Sequence, residues 1–109
     1  VLRTEEVEEI FELFTNDEFF YDPNKKWSEL LPALESAINN EGAKGLAKVD
    51  AFLLVLKSRQ VVPDPQVVRF FEMVHRILTR EIAELTENSI KAIDEKLQKL
   101  IQQKLQANQ

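Results

Sequence analysis

Apolar residues recur at three- and four-residue intervals along almost the whole chain, and very little interrupts them. There are two glycines, Gly42 and Gly45, and four prolines, Pro23, Pro32, Pro63 and Pro65. No run alternates Val, Ile or Thr with polar residues, the period-two mark of a half-buried strand. A chain patterned in this way must pack helices on helices to cover its apolar faces. The expected fold is therefore all-α: a four-helix-type bundle with a kinked second helix and a long C-terminal helix that either projects or breaks near residues 86–89. With 109 residues it reads as a single helical domain, 1–109, in which 88–109 could form a coiled-coil extension. The first residue, Val1, reads as the start of a piece excised from a longer chain.

The first helix is expected over Thr4–Phe14, with Thr4 as its cap and Val7, Ile10, Phe11 and Phe14 on one face. Asp22-Pro23 has the aspartate-then-proline form of a helix start. From Trp27 the apolar pattern passes through Pro32 in phase, which predicts a kink near Ser28–Pro32. Gly42 suits a stop. A third helix over Lys44–Arg59 is hydrophobic on every side around Ala51–Leu56 and so is the most buried. Asp64-Pro65 repeats the start signal, and about 43 residues then follow without glycine or proline. As one straight helix they would extend ~65 Å. The polar Thr86-Glu87-Asn88-Ser89 is the natural break, but its lack of glycine favours a projecting or dimer-packed end. Glu72–Arg76, Glu87–Lys91 and Glu95–Lys99 have the spacing of helical ion pairs.

Composition removes several kinds of chemistry. The absence of cysteine excludes disulfides, thiol catalysis and thiolate-bound zinc, and the lone His75 weighs against an all-protein zinc site in one chain. The longest apolar run, Ala51–Leu56, falls far short of the ~20 residues that span a bilayer. With no secretory start either, the expectation is a soluble cytoplasmic protein without a membrane span. The first 22 residues hold eight acids against one base, more than the whole net charge of −5. Six of the nine aromatics lie between Phe11 and Trp27, interleaved with carboxylates. Nucleic-acid binders place aromatics among Lys and Arg, so that class is disfavoured.

Three clusters remain as candidate sites. Phe19, Phe20, Tyr21 and Trp27 form an aromatic corner, and three consecutive aromatics cannot all face inward, so this corner is the first choice for partner binding. Ile90, Ile93, Leu97 and Leu100 follow the spacing of a short heptad seam, a candidate dimer interface. Glu72-x-x-His75 has the spacing of one half of a di-iron motif, and with a single copy per chain it could act only across a dimer. Its simpler reading has Glu72 and His75 flanking the apolar stripe, with Glu72 paired to Arg76. The acids around Asn16–Asn24 lack the glycine and spacing of a calcium loop. No nucleophile motif or phosphate-binding loop is present.

The chain thus reads as a non-catalytic helical interaction or regulatory domain that needs no cofactor or metal and acts on another protein, with homodimerisation as one form of that role. The alternative is a small-ligand or metal-binding bundle, such as a sensor or a dimeric carboxylate-type enzyme. It would use a cavity among Phe52, Phe70, Phe71 and Trp27, or a shared site at Glu72 and His75.

Overall fold

The cap of the first helix lies one residue earlier than its sequence signal. Arg3, not Thr4, is the last residue outside the helix, and Glu6 reaches back so that the Arg3 amide donates to its Oε1 at 3.1 Å. This is half of a capping box. Helix α1 then runs Thr4–Thr15, burying Val7, Ile10 and Phe14 and exposing Glu5, Glu8, Glu9 and Glu12. The computed structural model describes residues 2–15, 25–59 and 65–107; the expected aromatic turn at 16–21 and the start signal at Asp22-Pro23 lie outside them.

Helix α2 covers Trp27–Ser58, α3 Pro65–Thr86 and α4 Ile90–Ala107, and no strand occurs among the described residues. Each helix packs on the next and α4 packs back on α1, in a body of 37 × 32 × 22 Å in which α1 and α3 touch least. None of the helices is long and apolar enough to cross a membrane.

Helix α2 begins four residues beyond Pro23, after an extended Lys26 that offers no side-chain cap. Its backbone remains helical through Pro32, so the expected interruption is not at the proline. It is at Gly42, with φ 61° and ψ −133°. That conformation lies outside the left-handed helical region and is open only to glycine. Here the chain folds back sharply. A Cβ placed on Gly45 would lie 2.0 Å from the Ala37 carbonyl oxygen, although eight residues of straight helix would separate the two by about 12 Å. Beyond the fold, Val49–Leu56 is buried without interruption, as its all-round hydrophobicity implies.

Pro65 opens α3 as a first helical residue, where its missing amide costs nothing. The long C-terminal stretch does not project. It breaks at Glu87, which takes the left-handed conformation at φ 57° despite carrying a side chain. The Asn88 amide donates to the Ala83 carbonyl at 3.1 Å, the six-to-one bond of a Schellman turn. Ser89 Oγ accepts from the Ala92 amide at 3.0 Å and caps α4. These bonds and the burial of Ile93, Leu97 and Ile101 outweigh roughly 1–2 kcal/mol of backbone strain at Glu87. Because Glu87 leaves the helix, it cannot pair with Lys91 as a helical neighbour.

Two consequences can be measured by urea unfolding. Gly45→Ala should cost about 3 kcal/mol or more, because its new methyl meets a backbone carbonyl that cannot swing aside. Gly42→Asn should cost about as much as Gly42→Ala, roughly 1–3 kcal/mol, since asparagine tolerates only the left-handed helical region. If the asparagine variant proves markedly milder than the alanine one, the turn is of another kind. At the second break, Glu87→Gly should stabilise the chain by about 0.5–1 kcal/mol.

Candidate functional site

The one acid inside the hydrophobic run of α2 is Asp50, which is 0% exposed. A buried carboxylate requires a partner, and His75 of α3 provides it. Its Nδ1 lies 2.8 Å from Asp50 Oδ2 and 3.1 Å from Oδ1. The other ring nitrogen, Nε2, is in contact with Asp94 Oδ1 of α4. Asp94 lies nearer the surface and also accepts from Gln98 Nε2 at 3.0 and 3.1 Å. One imidazole thus joins three helices through two carboxylates.

Packing holds the ring in place. Phe71, one turn earlier on α3, stacks on it with centroids 5.4 Å apart and 18° between planes. Lys57 Nζ lies 5.3 Å from the centre of Phe71, so a cation, an aromatic ring and the imidazole lie in sequence. Below the ring, the buried Thr79 hydroxyl donates to the His75 carbonyl at 2.9 Å.

The protonation state follows from the geometry. Both ring nitrogens face carboxylate oxygens, so two protons are needed to bond both contacts. Burial presses the His75 pKa down, but hydrogen bonds and charge from Asp50 and Asp94 together outweigh it, and the imidazole titrates above its ordinary range. Burial also pushes Asp94 up; it is overcome by hydrogen bonds from His75 and Gln98 and by the charges of His75 and Lys57, leaving Asp94 low. For Asp50, burial dominates and raises the pKa against the pull of His75, with the charge of Asp94 adding to the rise. An imidazolium between two carboxylates, or a neutral ring beside a protonated Asp50, holds the same two protons.

The cluster joins helices and does not converge on one point. Both ring nitrogens are committed, and the carboxylates lie on opposite edges of the ring, so the three cannot converge on one ion. No group of three or more His, Asp or Glu is placed to hold a metal among the described residues. Glu72 is exposed on the helix surface and His75 is part-buried, so the two flank the apolar stripe as in the simpler reading, but the Glu72–Arg76 pair is not made. The signal that could have revealed the real partners was Asp50 itself, a lone carboxylate between Val49 and six consecutive apolar residues.

The other candidate residues are distributed as follows. Phe19, Phe20 and Tyr21 lie outside the described residues. Trp27 is half-buried at the start of α2, edge-on to Phe70 at 5.8 Å, and its buried Nε1 donor has no partner among the described residues. Of the seam, Ile93 and Leu97 are buried in the bundle and Leu100 packs against it, while Ile90 is half exposed. A dimer through Ile93 and Leu97 would require α4 to leave its neighbours.

An unexpected face lies on the outside of α3. Met73 and Ile77 are 42% and 41% exposed, and Arg69, Arg76 and Arg80 run along one side of them at helical spacing. None of these arginines forms an ion pair with a described residue; the carboxylates that bind a cation elsewhere include Glu9 with Lys44 and Glu41 with Lys48.

Comparison with known proteins finds no matching family model, no similar curated protein and no similar solved structure.

Linkage fixes the sign of a pH test. The contribution of His75, whose pKa is raised, is complete below about 6.5 and is lost as pH rises through its folded value. The raised Asp50 also lowers stability with increasing pH above its ordinary value of 3.8. The lowered Asp94 acts oppositely: its contribution is present above 3.8 and is lost as pH falls through its folded value. Stability should therefore peak in mildly acidic solution and decline on the alkaline side, and His75→Gln should flatten that decline. A urea midpoint that is level between pH 6.5 and 9 in the native chain would contradict the protonated ring. His75→Ala, which strands Asp50, should cost about 3–5 kcal/mol.

Proposed function

We propose that the chain is a non-catalytic helical interaction domain that acts by presenting the outer face of α3 to another protein. The observation that carries this reading is the pair Met73–Ile77, left outside the core and flanked on one side by three arginines that are not ion-paired among the described residues. Single exposed apolar residues are ordinary on any protein surface. An adjacent exposed pair flanked by arginines is less so, because Met and Arg are both enriched at protein interfaces. Polar chemistry in the interior supports the same reading, since the imidazole of His75 spends both nitrogens on holding helices together. The aromatic residues Phe19, Phe20 and Tyr21 stay candidates for partner contact on their sequence alone.

A photo-crosslinking residue at position 77 tests this in the source cell, with the same residue at position 8 on exposed α1 as the control. A discrete protein adduct at 77 and none at 8 is the expected result. Adducts only at 8, or none at either position, would remove the α3 face from consideration. An adduct with the mass of two copies would make the occupant a second copy of the chain and support the self-associating form of the role.

A further inference from the structure

Resting on that reading of α3, we infer that the partner segment is an acidic amphipathic helix. Arg69, Met73, Arg76, Ile77 and Arg80 fall within about 100° of arc on α3 and extend ~16 Å along it, three turns of helix. All five are exposed. Guanidinium groups bind carboxylates through paired, planar hydrogen bonds, and Met adapts its shape to an incoming apolar side chain. A helix with one or two large apolar residues to lie against Met73 and Ile77, and Glu or Asp along one flank, satisfies both components of the strip.

Other occupants fit less well. The chain's own acidic helix matches in charge, but the outward residues of α1, Glu5, Glu8 and Glu12, include nothing apolar to cover Met73 and Ile77. Exposed ion pairs alone are worth about 0–1 kcal/mol each. A lipid or nucleic-acid surface is a continuous sheet of negative charge. It would press on Glu84, exposed at the end of the same strip, and on Glu72 at its side. The acids of the true partner must be confined to the stretch opposite residues 69–80, and a helix of three or four turns can confine them there.

The test uses a labelled designed helix of about 18 residues with Leu at i, i+4, i+7 and i+11 and Glu along one flank. Its twin carries Lys for each Glu, and phosphatidylserine vesicles form a third arm. The expected result is saturable binding of the acidic peptide, weakened about tenfold or more by Arg76→Glu/Arg80→Glu and separately by Met73→Ser/Ile77→Ser. These positions are exposed, so circular dichroism and unfolding midpoints should stay those of the native chain. Equal binding of the twin, unchanged binding by the arginine variant, or binding to vesicles but to neither peptide would each overturn the inference. An adduct at position 77 without binding of the acidic peptide would leave the docking face standing and reject its acidic partner. Failure of both experiments would reject face and partner together.

Discussion

The bridge Asp50–His75–Asp94 sets how α3 is rotated about its own axis, and much of the molecule's outer character follows from that rotation. His75 points toward α2 and α4, and Met73 and Ile77 are on the opposite side of the same helix. Hydrophobic contacts are nondirectional and would accept a modest roll of α3. A ring with two committed nitrogens would not, since turning the helix by one residue, about 100°, would leave a buried carboxylate without its partner. The strip of arginines faces solvent because the imidazole cannot.

Burying charges is an expensive way to hold helices. Replacing such a group by well-packed apolar residues is often neutral or stabilising in other proteins, so the bridge is weak evidence of net stability. What it provides is a register. Asp50 lies in the most apolar segment of the chain, where Ala47, Val49, Ala51 and Leu53 offer no direction of their own. Removing either partner strands the other, and that asymmetry penalises misaligned packings more than it rewards the native one.

Much of the architecture was legible in local sequence signals because those signals act locally. Pro65 at the first position of α3, the turn at Gly42 and the buried run Ala51–Leu56 each follow from the residues at the site. The start of α2 at Trp27 did not follow from Asp22-Pro23, and Pro32 proved compatible with an unbroken helical backbone. The fold-back at 87–89 was the harder case. Lack of glycine argued for a projecting helix, yet Glu87 accepts the strained conformation because the turn's hydrogen bonds and the burial of α4 outweigh it. That balance depends on what α4 packs against, which no local window contains. The same holds for the site. His75 is 25 residues from Asp50 and 19 from Asp94, so the spacing that suggested Glu72 as its companion was the wrong scale.

Charge is segregated across the bundle as well as along the chain. The exposed acids of α1 and the arginines of α3 belong to the two helices that touch each other least. At physiological ionic strength, charges are screened over about 8 Å. A segment approaching α3 therefore responds mainly to the charges beside it, the three arginines with Glu72 and Glu84 at their edge, and less to the net charge of −5 of the chain as a whole. An overall acidic chain can in this way present a locally basic strip, bounded on its own helix by Glu72 and Glu84. Had the exposed acids of α1 lain against that strip, they would join those two as partners for Arg69, Arg76 and Arg80, and the strip would be closed by the fold itself.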